Sequence, residues 1–279
     1  MSAISVLMIA CNAEAYITEA IESVLNQSFS DFELIIVNDG SSDNTRAIIN
    51  SCADKRIRII DNERNYVQSL NLGLKAATGK YIARMGAEDI SHVDRLKIQH
   101  AIMEDHPEIT LCSSWVNLFG EKVPAGFPEL KISGMIENPF IDMLSDDFTV
   151  YPTAMLRSSF VRENDLLFEN YFHAEEYHFW AKVAMADGVI YIESQPLVYK
   201  RMTETQLKIM LGPVRHETVS VIKKELLGAF CNRYREKYPS LLSFIESFFK
   251  LSKEKLITEQ DIFKTVADIL NRNREVFKD

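Results

Sequence analysis

Three acidic turns hold the side chains best suited to chemistry. Asp39 follows the apolar run 32–37, inside Asn38-Asp39-Gly40-Ser41. An acid there is either a turn former or an acceptor for a nucleobase or ribose group at the end of a strand. Glu88 and Asp89 follow a second short apolar run, 81–85. Adjacent carboxylates can share a divalent cation, which in turn neutralises a diphosphate. The plainer alternative is that Asp89 caps the next helix and Glu88 is solvated. Glu175 and Glu176 open a stretch of helical spacing that carries Tyr177 and Trp180. A carboxylate there can take the proton of a hydroxyl nucleophile, and an aromatic ring can stack on a sugar face. Acids at a helix start also simply oppose the helix dipole. The chain has no G-x-G-x-x-G, no P-loop and no serine-hydrolase elbow, so those α/β chemistries lose support.

The elements that must position these acids follow from periodicity. Residues 4–9 and 32–37 read as buried strands, with a helix across 13–27 between them. A helix from a cap at Asp43 through Ile49, a strand at 57–60, a helix over 66–77 and a strand at 81–85 continue the alternation. Such alternation predicts a mostly parallel sheet covered by helices. Ligands of these sheets bind beyond the carboxyl ends of the strands, so Asp39 and the Glu88/Asp89 pair are expected at one edge. Farther on, 92–103 reads as helix, 109–119 as extended, 124–139 as irregular, 153–156 as a strand, 175–185 as helix and 189–192 as strand. From Val214 the chain reads as amphipathic helix with turns at Tyr238-Pro239 and Leu251-Ser252.

The 279 residues carry a formal net charge of −9, which argues against a broad nucleic-acid footprint. Residues 1–206 hold 17 Lys+Arg against 30 Asp+Glu, whereas 207–279 hold 14 against 10. The change of sign predicts an α/β domain over 1–206 and a helical extension over 207–279. Cys11, Cys52, Cys112 and Cys231 form no close metal-ligand pair and read as reduced thiols of a cytosolic protein. No apolar run approaches the roughly eighteen residues that span a bilayer. In the extension, Phe244, Ile245, Phe248, Phe249 and Leu251 cluster beside Lys250, Lys253 and Lys255. That cluster has two readings: peripheral rest on an anionic inner leaflet, or packing on the α/β domain or on a second subunit as a homodimer.

Taken in order, the blocks ISVLMIACN, AIESVLNQSFSDFELIIVNDGSSDNT, NLGLKAATGKYIARM and DRL, followed by YPTAM, AEEYHFW and QPLVYKR, resemble the inverting family-2 glycosyltransferases of the GT-A fold. The resemblance spans roughly 4–206, and the later blocks look closest to bacterial transferases that add N-acetylhexosamine to lipooligosaccharide. It implies a UDP-sugar donor, a saccharide or lipid-linked acceptor, and Mn2+ or Mg2+ as cofactor. By the same resemblance Asp39 contacts the uridine base, and Ile9, Ala10, Cys11 and Asn12 line its pocket. Gly86 and Ala87 belong to the donor turn, and Glu88 ligates the cation. Glu176 is the general base, with Glu175 and Trp180 beside the acceptor.

The chain also departs from the family pattern. Gly86 stands where an acid is usual, Glu88 and Glu176 stand where Asp is usual, Thr203 replaces a common histidine, and Ile9-Ala10-Cys11-Asn12 replaces Pro-x-Tyr-Asn. These changes admit two accounts, a retuned enzyme or a GT-A domain whose catalysis has lapsed. A third class, an unrelated nucleotide-binding module, would make the ordered blocks coincidental.

Overall fold

The computed structural model describes residues 2–120, 123, 132–145 and 150–277. Residues 124–131 of the stretch read as irregular lie outside the described residues. The first strands are β1 (Ile4–Ala10), β2 (Phe32–Asp39), β3 (Ile57–Asn62) and β4 (Tyr81–Gly86), and they pair in parallel in the order β3-β2-β1-β4. Between them run α1 (Ile17–Leu25), α2 (Thr45–Ser51) and α3 (Tyr66–Ala76). The expected alternation is what the chain forms.

Beyond β4 come β5 (Ile90–Ser91), α4 (Arg95–Asp105), β6 (Ile109–Phe119), β7 (Gly134–Ile136), α5 (Pro139–Ser145), β8 (Met155–Arg157) and α6 (Ser158–Glu163). Then follow α7 (Glu175–Met185), β9 (Val189–Arg201), α8 (Glu204–Met210), α9 (Pro213–Arg233), α10 (Pro239–Lys253) and α11 (Glu259–Arg272). The sheet continues from β4 through β8, β6 and β9 to β5, with β8 antiparallel to both neighbours and β6 parallel to β9. Strand β9 is much longer than 189–192. Its polar stretch before Pro196 stays in the ladder because register shifts near Trp115 absorb the mismatch with β6. Helix α10 likewise runs through the turn expected at Leu251-Ser252.

Both faces of the sheet are buried, which is why the central strands read as unbroken apolar runs. Val6, Met8, Leu34 and Ile36 face α1 and α4, whereas Leu7, Ile35 and Val37 face α3 and α7. Gly73 in α3 lets that helix sit close on β1, since a Cβ there would fall 2.0 Å from Leu7 Cδ1. The second apolar cluster runs without a break into the extension, taking in Ile222, Leu226 and Phe230 of α9 and Ile262, Val266 and Leu270 of α11. The core therefore crosses the charge boundary at 206/207. Of the lysine-flanked cluster, Ile245 is buried and Phe248 and Phe249 pack on this core, while Phe244 and Leu251 are exposed.

Candidate functional site

Parallel pairing fixes the site. Ile9 of β1 lies opposite Gly86 of β4 and Val37 of β2, and Ala10 lies opposite Asn38, so the loops after β1, β2 and β4 leave the sheet at one edge. A cavity of about 160 Å³ opens there, lined in part by Ile9, Cys11, Tyr66, Gly86, Ala87 and Glu88, with Arg84, Tyr151 and Gln206 completing the wall.

The loop after β1 divides by side chain. Ile9 and Cys11 face the cavity, but Ala10 is fully buried against the α1 face of the sheet. Asn12 is a loop clamp. It adopts φ 51°, a left-handed conformation that Asn tolerates, and its Oδ1 accepts from Ser42 N at 2.8 Å. Glu14 N donates to Asp43 Oδ2 and Ala13 N to Thr45 Oγ1, so the loops after β1 and β2 are tied together. The pocket-lining roles expected of Ala10 and Asn12 are corrected accordingly.

Asp39 is buried at the end of β2. Its Oδ1 accepts from Asn65 N at 2.7 Å and from Ser69 Oγ at 2.8 Å, which fixes the start of α3. Asn65 caps that helix, so Tyr66 enters the cavity wall as its first residue. The Cys11 thiol is pushed up by burial, with Asp39 adding to the rise and Arg64 opposing it.

The turn after β4 separates its two acids. Glu88 lines the cavity and its Oε2 accepts from Gln206 Nε2 at 2.8 Å. Its carboxyl is raised by burial and then by Asp89, with Lys200 and Arg201 opposing. Asp89 is 1 % exposed, and its Oδ1 accepts from Arg201 N at 2.9 Å while Oδ2 has no partner. The alternative reading of Asp89 as a helix cap is overturned: α4 starts at Arg95, and Asp94 holds the cap position. Gly86 is the complement of Asp89. A Cβ built on Gly86 would lie 2.3 Å from Asp89 Oδ2, so the carboxylate occupies the room that any larger side chain would need.

Arg201 braces this turn. Its Nε donates to Glu88 O at 2.9 Å, its guanidinium stacks on Tyr16 and Phe119, and it pairs with Glu19. Thr203, in place of the expected histidine, caps α8 in a capping box with Gln206, and that same Gln206 reaches Glu88.

The acids that open α7 also divide. Glu176 accepts a short hydrogen bond from the hydroxyl of Tyr66, a residue of the cavity wall. Burial and the Glu176 carboxylate push the Tyr66 phenol well above its ordinary value. Glu175 is buried, and burial raises its carboxyl to about 7, with Glu176 adding to the rise. Trp180, expected beside the acceptor, lies in the core: it is 0 % exposed and meets Phe179 edge-on. No face of its ring is open to a saccharide.

Among the described residues, no three His, Cys, Asp or Glu side chains gather as a metal cage. Glu88 alone on the cavity wall suits a divalent ion that takes most of its oxygens from a diphosphate and water. Sequence reasoning missed Tyr66, Arg84, Tyr151 and Gln206. Of these, only Gln206 carried a readable local signal, the Thr-x-x-Gln capping pattern.

The family model for glycosyl transferase family 2 matches residues 5–164. An uncharacterized glycosyltransferase of Haemophilus influenzae is 32 % identical over 243 residues, covering 82 % of this chain and 75 % of its own. One from Methanocaldococcus jannaschii is 30 % identical, covering 98 % and 95 %. Among solved structures, Staphylococcus aureus TarS 1–349 in complex with UDP superposes with a TM-score of 0.63 at 23 % identity, over 85 % of this chain and 72 % of that one.

Proposed function

This chain belongs to glycosyltransferase family 2, and on that premise we propose that it moves a sugar from a UDP-sugar to a saccharide hydroxyl with inversion. The observation that carries this reading is the convergence of Glu88, Tyr66 with its bound Glu176, and the Asp39-anchored start of α3 on one cavity at the carboxyl edge. In this reading Asp39, Ile9 and Cys11 hold the uridine, and Glu88 faces the diphosphate.

Glu176 takes the proton of the acceptor hydroxyl, whose oxygen attacks the anomeric carbon. The bond from that carbon to the β-phosphate oxygen breaks, and its electron pair leaves with UDP. A single displacement of this kind inverts the anomeric centre. A bound Mn2+ or Mg2+ would supply charge neutralisation to the diphosphate, with Glu88 as its protein ligand. Tyr66 holds Glu176 toward the cavity, and Gln206 and Arg201 hold Glu88.

The donor sugar is N-acetylhexosamine or hexose. A TarS structure contains UDP-GlcNAc, and an Escherichia coli relative, 36 % identical over 102 residues, is a UDP-Glc:α-D-GlcNAc-diphosphoundecaprenol β-1,3-glucosyltransferase. The diphosphoundecaprenol acceptor of that relative supports a lipid-linked acceptor here. In this reading the transfer serves surface polysaccharide or lipooligosaccharide synthesis on the cytoplasmic side. Among the described residues no helix is long and apolar enough to cross a membrane. Contact with an inner leaflet would fall to Phe244 and Leu251, the exposed apolar residues beside Lys250.

Calorimetric titration with UDP-, GDP- and dTDP-sugars, with and without Mn2+, tests the reading. Preferential binding of UDP-sugars and release of UDP in the presence of a saccharide acceptor are expected. Preference for GDP or dTDP rejects the uridine assignment, and binding without transfer to any acceptor supports the lapsed-domain account.

A further inference from the structure

We propose that Lys200 is a diphosphate-binding residue, supplying a protein cation to the leaving UDP independently of any metal; this rests on the transferase reading above. Lys200 is the next-to-last residue of β9, and the peptide that joins it to Arg201 abuts the acidic turn, since Arg201 N donates to Asp89 Oδ1. Successive side chains of a strand point to opposite faces. Arg201 turns to Tyr16 and Phe119, at 4.5 and 4.4 Å from the ring centroids. Lys200 turns the other way, and its Nζ stands 4.6 Å from the centroid of Tyr151. Tyr151 lines the same cavity as Glu88.

The cations of this region differ in what they already hold. Arg201 is engaged by Glu88 O and Glu19, and Arg84 is buried with Nη1 on Leu7 O. The Lys200 ammonium makes no side-chain hydrogen bond or ion pair with the described residues and rests on the Tyr151 ring. An ammonium on a flexible stem, resting on an aromatic face beside two acids, can swing to a phosphate oxygen as a point charge. Its charge already opposes the burial that raises Glu88 and Asp89. Its positive charge adds to whatever a metal supplies, so part of the affinity for the diphosphate is expected to survive removal of the metal.

The test is calorimetric titration of uridine and of UDP in EDTA and again in Mn2+, on the full chain and on Lys200→Met and Lys200→Arg. Methionine keeps an unbranched stem against Tyr151 and removes the charge. In EDTA the parent should bind UDP more tightly than uridine. Lys200→Met should lose roughly tenfold or more of UDP affinity with uridine binding unchanged, and Lys200→Arg should keep most of it. The thermal midpoint without ligand should stay the same, with the shift produced by UDP reduced in Lys200→Met. Equal loss of uridine and UDP affinity would mark a structural role and overturn the assignment. UDP affinity unchanged in Lys200→Met overturns it while leaving the transferase reading intact. A parent that binds neither ligand in either condition overturns both.

Discussion

The two acidic pairs of this chain look alike in sequence and are used in opposite order. In Glu88-Asp89 the leading acid lines the cavity and the trailing one is buried; in Glu175-Glu176 the leading acid is buried and the trailing one meets Tyr66. A strand-to-loop turn sets the first order, and the opening of a helix sets the second. The buried members also differ. Asp89 lies among Lys200, Arg95 and Arg201, whose charges all work against burial. Glu175 has only backbone N–H groups on that side, and Glu176 adds to the penalty, so its carboxyl rises to about 7. Each pair thus sets one acid toward the cavity or its wall and one in the interior, and the fold decides which.

The sharpest way to break this comparison is to neutralise the acids one at a time. Glu176→Gln should lower transfer by about 10²–10⁴-fold with UDP affinity retained, because an amide keeps the shape and cannot take the proton. Steady-state turnover beside UDP titration checks this, and equal losses from Glu175→Gln would reverse the assignment within the pair. Glu88→Ala should abolish the gain in UDP affinity produced by Mn2+. The expected drop is at least the ~10–100-fold that loss of an outer-shell partner costs a metal site, read from Mn2+ titrations with UDP present.

Glu175→Gln tests the buried member through stability. A carboxyl whose folded value is raised binds its proton more tightly in the folded state. The parent should therefore lose stability as pH rises from about 4.5 through 7, by up to ~3 kcal/mol, and Glu175→Gln should lose much less over the same interval. Urea unfolding of both proteins at pH 5 and pH 8 measures the difference, and parallel curves would reject the assignment. The smallest expected effect is that of Gly86→Asp. Restoring the acid of the family pattern should destabilise the protein by about 1–3 kcal/mol and weaken UDP binding, since the added side chain meets Asp89. A gain in activity would instead show that the site tolerates both acids.

Much of this architecture was legible in the chain. The strands β1 to β4 declare themselves as apolar runs ended by polar turns, and parallel pairing then places Asp39 and Glu88 at one edge. The part that was not legible depends on contacts between distant segments. Tyr66 and Glu176 lie 110 positions apart, and nothing near either residue signals the other. Trp180 was misplaced for a related reason. Its spacing from Glu176 puts both on one side of α7, but Glu176 in the first turn meets Tyr66 of the cavity wall, and a turn later the same side is core. Ala10 and Asn12 lie in the right loop, yet alternation and a left-handed turn send their side chains elsewhere.

The space shared by Gly86 and Asp89 bears on how such a site can change by mutation. With Asp89 Oδ2 lying 2.3 Å from the Cβ that Gly86 lacks, the two positions compete for one volume and act as a coupled locus. The order of substitution then matters. An acid arriving first at 86 meets a carboxylate held by Arg201 N, whereas shortening Asp89 first opens the space but releases that N–H. Each single step is thus expected to cost stability for a different reason, so that the two positions are best exchanged together.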